Sequence, residues 1–169
     1  YVCSYALYYN MHMKQMQNNT LKEKAHWAFI FLYILWIFSN SLMNGNISSS
    51  TSGSITRQIL AFLAFFGINP GYDVFHHFIR KLAHFLEYTL LGFLTSFSIF
   101  RRSLFSSEKL TWLTICILTP ILDETLQLFV PGRCGSLTDS LLDMSGCVFG
   151  TLFLLMLRKL HFHFTQKKK

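Results

Sequence analysis

Four apolar runs limit what this chain can fold into: Trp27 to Met43, Leu82 to Phe100, Leu110 to Val130 and Leu137 to Leu157. A helix needs roughly 20 mostly apolar residues to cross about 30 Å of hydrocarbon, and the four runs approach or reach that length. Lipid offers no partner to an open backbone, so each run is predicted as a helix. Charged residues make up only 14% of the 169, and hydrophobic ones 51%. Soluble domains carry roughly 25% charged residues. The same figures exclude intrinsic disorder, which requires low hydrophobicity and high charge. So few charges would also leave a soluble surface of this size poorly covered. The predicted fold class is all-α: a polytopic membrane bundle of four transmembrane helices, with one short extra helix.

Residues 1–24 are expected as an N-terminal cytoplasmic tail, 25–160 as a single membrane domain and 161–169 as a basic cytoplasmic tail. The chain opens on Tyr1, and Met11, Met13 or Met16 would each be a plausible start. Ser39-Asn40-Ser41-Leu42-Met43 is a poor cleavage site, so the first run reads as a retained span rather than a signal peptide. Asn44 to Ser54 is rich in Ser, Gly and Asn and reads as a loop. Ile55 to Ile68 is too short to span and reads as an interfacial or re-entrant helix, ended by the turn Asn69-Pro70-Gly71.

Basic residues give the orientation. Lys14, Lys22, Lys24, Arg101, Arg102, Lys109, Arg158, Lys159 and Lys167 to Lys169 fall on one side, and Arg57, Arg80, Lys81 and Arg133 on the other. The richer side is expected in the cytoplasm, with both termini there. The net charge of +7 sits in clusters between apolar runs, which suits an anionic leaflet and not nucleic acid. Cys3, Cys116, Cys134 and Cys147 contain no C-x-x-C pair, so neither a disulfide framework nor a structural zinc site is expected.

Glu87, Asp123, Glu124, Asp139 and Asp143, five of eight acidic residues, lie in or beside the last three runs. Each charge at a helix centre costs roughly 2.5–3.5 kcal/mol on insertion scales, so such groups are functional or paired. In the orientation above, His84 and Glu87 fall in the outer first turns of the second span. Asp123, Glu124 and Gln127 fall in the outer half of the third, Arg133 in the outer loop, and Asp139 and Asp143 in the opening turns of the fourth. All share one depth, toward the extracytoplasmic side. Lys81, His84, Glu87 and Leu91 follow one helical face, and Glu124 and Gln127 are neighbours three residues apart. Asp139, Asp143, Gly146 and Gly150 form one stripe, and Gly146-x-x-x-Gly150 permits close helix approach. Thr119-Pro120 predicts a kink, which either opens an outer polar cavity or is satisfied by neighbouring helices.

These residues also carry a resemblance. Arg80-Lys81-Leu82-Ala83-His84-Phe85-Leu86-Glu87-Tyr88, followed by Leu91-Gly92, resembles the first signature of the VanZ-like membrane family. Asp123-Glu124-Thr125-Leu126-Gln127-Leu128-Phe129-Val130-Pro131-Gly132-Arg133 resembles its second. Gly135-Ser136, Asp139 and Gly146-x-x-x-Gly150 resemble its third, and Asp143 stands where many members carry Asn. The resemblance covers Arg80 to Gly150 in family order and spacing. The family's namesake is a small membrane protein linked to low-level teicoplanin resistance. A role in the cell envelope or in glycopeptide resistance is what the resemblance implies.

Several functions fit this pattern. One is a non-enzymatic envelope protein whose cluster binds a lipid head group, a lipid-linked wall precursor, a glycopeptide or a partner, with Arg80, Lys81 and Arg133 capturing phosphate or carboxylate. Another is an intramembrane enzyme using His84, Glu87, Asp123 and Glu124 as acid and base groups, although no nucleophile elbow supports a named reaction. Proton or ion translocation is disfavoured, because the acids form no track across the bilayer. Purely structural pairing, Glu87 with Arg133 or Lys81 with Asp123, is the plainest alternative. No cofactor is expected. His84-x-x-Glu87 lacks the H-E-x-x-H pattern, and no metal site is expected either.

Overall fold

The computed structural model describes residues 2–101 and 103–166, and the side chains of 21–166 apart from Asn46 and Arg102. Arg102 and Lys167 to Lys169, used above for orientation, lie outside the described residues, as do the side chains of Cys3 and Lys14. Every described element is helical. In chain order these are α1 (Val2–Ser41), α2 (Gly45–Phe65), α3 (Tyr72–Ile99), α4 (Glu108–Leu113), a π-helical turn (Thr114–Leu118), α5 (Thr119–Gln127) and α6 (Leu137–Gln166).

The α3–α6 pair is the most extensive in the bundle. Glycines allow it. A Cβ on Gly146 would fall 2.6 Å from the Phe85 carbonyl oxygen, and one on Gly150 would collide with that of Thr89. Gly92 answers from α3, where a Cβ would run into the Cys147 backbone. Side-chain bonds lock the same seam: Thr151 Oγ1 accepts from Trp112 Nε1 at 2.9 Å and lies 2.8 Å from Ser96 Oγ. α1 lies across this pair. Its residues Trp27, Ile30, Ile34, Ile37 and Ser41 repeat at three and four, which puts them on one face. Ile30 and Ile37 join Tyr88, Leu91, Ile115, Cys116 and Cys147 in the core.

By length and composition, α3 and α6 are long and apolar enough to cross a membrane. Only 39% of the most apolar stretch of α3 and 33% of that of α6 is buried inside the protein. Most of their apolar surface therefore faces outward. The other two runs do not meet that test among the described residues. The first is bounded by Lys22-Glu23-Lys24 and Ser39-Asn40-Ser41, and the third is divided by the π-helical turn.

Two expectations need correction. The stretch predicted as a loop, Asn44 to Ser54, is almost entirely helical, and its hydroxyls bond back along the helix. Ser50 Oγ and Thr51 Oγ1 donate to the Ile47 carbonyl at 2.8 and 3.1 Å, and Ser52 Oγ donates to that of Ser48 at 2.9 Å. The second helix starts at Tyr72, not Leu82, with Gly71 as its N-cap. His84 and Glu87 therefore lie near its middle rather than in its first turns. The last helix runs on to Gln166, so residues 161–166 of the expected tail are helical. Near Pro120 the helix shows a widened turn: the ring would crowd the carbonyl four residues back, and the π-helical turn ends just before it.

Candidate functional site

The C-terminal ends of α1 and α5, the start of α6 and the middle of α3 meet around a set of buried polar groups. Asp123 and Asp143 are fully buried, and Glu124, Gln127 and Ser41 nearly so. The Gln127 amide links them. Its Nε2 reaches Asp123 Oδ2 at 3.4 Å, Glu124 Oε1 at 3.3 Å and Ser41 Oγ at 3.4 Å. Glu124 Oε2 accepts the Ser136 backbone N–H at 2.8 Å, one residue before α6 begins. A carboxylate at a helix N-terminus is favoured by the partial positive charge there.

The loop after α5 carries Arg133 inward. Gly132 makes the turn at φ +77°, a conformation that side-chain-bearing residues rarely adopt. The Gly45 N–H donates to the Pro131 carbonyl at 3.3 Å and pins this loop against the start of α2. Arg133 Nη2 donates to the Asn40 carbonyl at 3.0 Å, supplying a cation to the last turn of α1. Burial and the Arg80 charge lower the Arg133 pKa, while the charges of Asp123, Glu124 and Glu87 raise it. At the rim, Lys81 Nζ sits 3.0 Å from Asp139 Oδ1, both side chains more than a third exposed. The Lys81–Asp123 pair given as one structural alternative does not form: Lys81 meets Asp139, and Asp123 is fully buried.

Two cavities, of about 260 and 390 Å³, open here. Arg80, His84 and Arg133 line both. Glu87 and Ser41 line the first, and Glu124, Gln127, Ser136 and Asp139 the second. The Tyr88 hydroxyl is buried facing the Asp123 carboxylate, and His84 Nδ1, Asp123 Oδ1, Arg133 Nε and both Asp143 oxygens are buried without a partner. One ligand-type atom from each of His84, Asp123 and Asp143 lies within 4.8 Å of the other two. His84 thus shares its surroundings with acids from two other helices. Gly146 and Gly150, on the same stripe as Asp143, lie at the α3–α6 crossing beside the site.

Sequence reasoning passed over Asn40, Ser41 and Ser136 as partners. Ser41 had a signal: it continues the three-and-four repeat of α1 that buries Ile30 and Ile37. Ser136 acts through its backbone N–H, which residue type does not reveal, and Asn40 through its carbonyl and through its side chain to Glu87.

Fold and site define a class: an all-helical protein with an apolar exterior that encloses a charged, hydrogen-bonded site among its helices. The chain belongs to the VanZ/LLP1 family, whose model matches residues 26–158. That stretch contains every residue of the site. No curated protein and no solved structure matches the chain. Family membership and two membrane-length helices point to a membrane protein.

Proposed function

We propose that this is a multi-pass protein of the cell membrane. Its polar site opens on the extracytoplasmic side and binds the anionic head group of a membrane lipid or a lipid-linked wall precursor. Glycopeptide resistance, of the kind linked to teicoplanin, is the phenotype such binding would produce. The observation that carries this reading is the convergence of Arg80, His84 and Arg133 on two adjoining cavities. Guanidinium forks match phosphate and carboxylate oxygens in pairs. Four passes, formed by α1, α3, α4 with α5, and α6, would leave both termini in the cytoplasm, with α2 at the outer interface. The basic residues of the tails and of the loop after α3 support that orientation.

The test is the teicoplanin susceptibility of a sensitive Gram-positive host with and without this gene, beside Glu87→Ala and Arg133→Lys at equal abundance. Raised tolerance is expected, abolished by Glu87→Ala and weakened by Arg133→Lys. Unchanged tolerance would overturn the resistance reading. Tolerance that survives both substitutions would overturn the role of the cluster.

A further inference from the structure

We propose that His84, Asp123 and Asp143 form a binding site for a divalent first-row metal ion, Zn²⁺ or Mn²⁺, which ties α3, α5 and α6 together. The geometry comes first. Their ligand-type atoms lie within 4.8 Å of one another. Atoms bound to one tetrahedral ion at about 2.1 Å lie about 3.4 Å apart, so closing the site takes side-chain shifts of up to about 1.4 Å.

A second observation is independent of that spacing. Asp123 Oδ1 and both Asp143 oxygens have no hydrogen-bond partner, although both residues are fully buried. His84 Nδ1 is buried without a partner as well. Buried charged groups are normally paired or bound to a metal. Lys81 is paired with Asp139 and Arg133 Nη2 with the Asn40 carbonyl, and among the described residues no cationic side chain forms an ion pair with Asp123 or Asp143. A dication would balance the two buried carboxylates.

The donors suit the choice of ion. An imidazole with two carboxylates favours zinc or manganese over calcium and magnesium, which take oxygen ligands, and over copper(I), which takes sulfur. The surroundings fit as well. Gln127 holds Asp123 Oδ2 and leaves Oδ1 free, the kind of outer contact that orients a metal ligand. His84 lines both cavities, which gives an ion a route in. Three protein ligands leave a further position for an oxygen from outside the chain. Helical bundles build metal sites this way, from side chains on facing helices.

Occupancy can be measured on the full-length protein in detergent, purified without a histidine tag and stripped with a chelator. Zn²⁺ and Mn²⁺ are titrated by calorimetry, and Co²⁺ is added as a probe whose visible absorption reports its ligands. Cys134→Ser, His76→Ala, His77→Ala, His161→Ala and His163→Ala in the background remove competing donors. One equivalent of Zn²⁺ or Mn²⁺ per chain is expected, with affinity lowered at least about tenfold by His84→Ala and by Asp143→Asn. The Co²⁺ spectrum should change in both variants. Cys116 and Cys147 are buried, so a thiol reagent that leaves them unmodified shows that a variant has folded. If either variant fails that check, Asp143→Glu, which keeps the charge and moves the oxygens, is read in its place. Absence of stoichiometric binding to the folded chain, or binding that folded variants leave unchanged, would overturn the site. The readout is metal occupancy, so it stands or falls apart from the teicoplanin result.

Discussion

Gly150 shows how much one missing side chain decides. A Cβ there would collide with the Thr89 carbonyl, and a Cβ on Gly146 would lie 2.6 Å from that of Phe85. These neighbours are backbone, so the helices themselves would have to part. Gly150→Ala is expected to cost about 1–3 kcal/mol, read as a lowered thermal midpoint in detergent. Gly53 provides the contrast. Its Cβ would fall 2.8 Å from the Tyr72 hydroxyl, the far end of a flexible side chain. Gly53→Ala is expected to stay within about 0.5 kcal/mol of the parent. Equal losses at the two positions would contradict the close α3–α6 packing. The Gly146-x-x-x-Gly150 spacing was visible in the sequence; Gly92 entered only through the family signature, because a lone glycine in an apolar run has no spacing to mark its packing role.

At the scale of elements, α5 owes its place to one amide. Gln127 bridges Asp123, Glu124 and Ser41, and so joins α5 to the end of α1. Gln127→Leu is of similar size but leaves two buried carboxylates short of a donor. A loss of about 1–3 kcal/mol in detergent-based unfolding is expected. No loss would mean that the amide does not hold these acids. The two membrane-length helices, α3 and α6, were legible because hydrophobicity over twenty residues is a strong signal. The second half of α2 was legible as the helix expected over Ile55 to Ile68, but its first half was not. Its serines and threonines resemble loop composition, and only the helix lets their hydroxyls bond back to Ile47 and Ser48. The π-helical turn had a partial signal in Pro120, which marks trouble for the ladder but not how the chain resolves it. The acids of α5 and α6 were legible through their helical spacing. Their shared depth with His84 was also legible, but not the packing that brings one atom each of His84, Asp123 and Asp143 within 4.8 Å.

For the whole molecule, the central claim is that the loop carrying Arg133 and the cluster beneath it face out of the cell. The chain holds its own reporter. Cys134 is exposed and adjoins Arg133, whereas Cys116 and Cys147 are buried. The measurement is labelling of intact cells with a membrane-impermeant thiol reagent, in a Cys3→Ser background, with Cys134→Ser as the control. Labelling before permeabilisation, lost in Cys134→Ser, is expected. Labelling of Cys134 only after the membrane is opened would place the loop in the cytoplasm and contradict the outward-facing site.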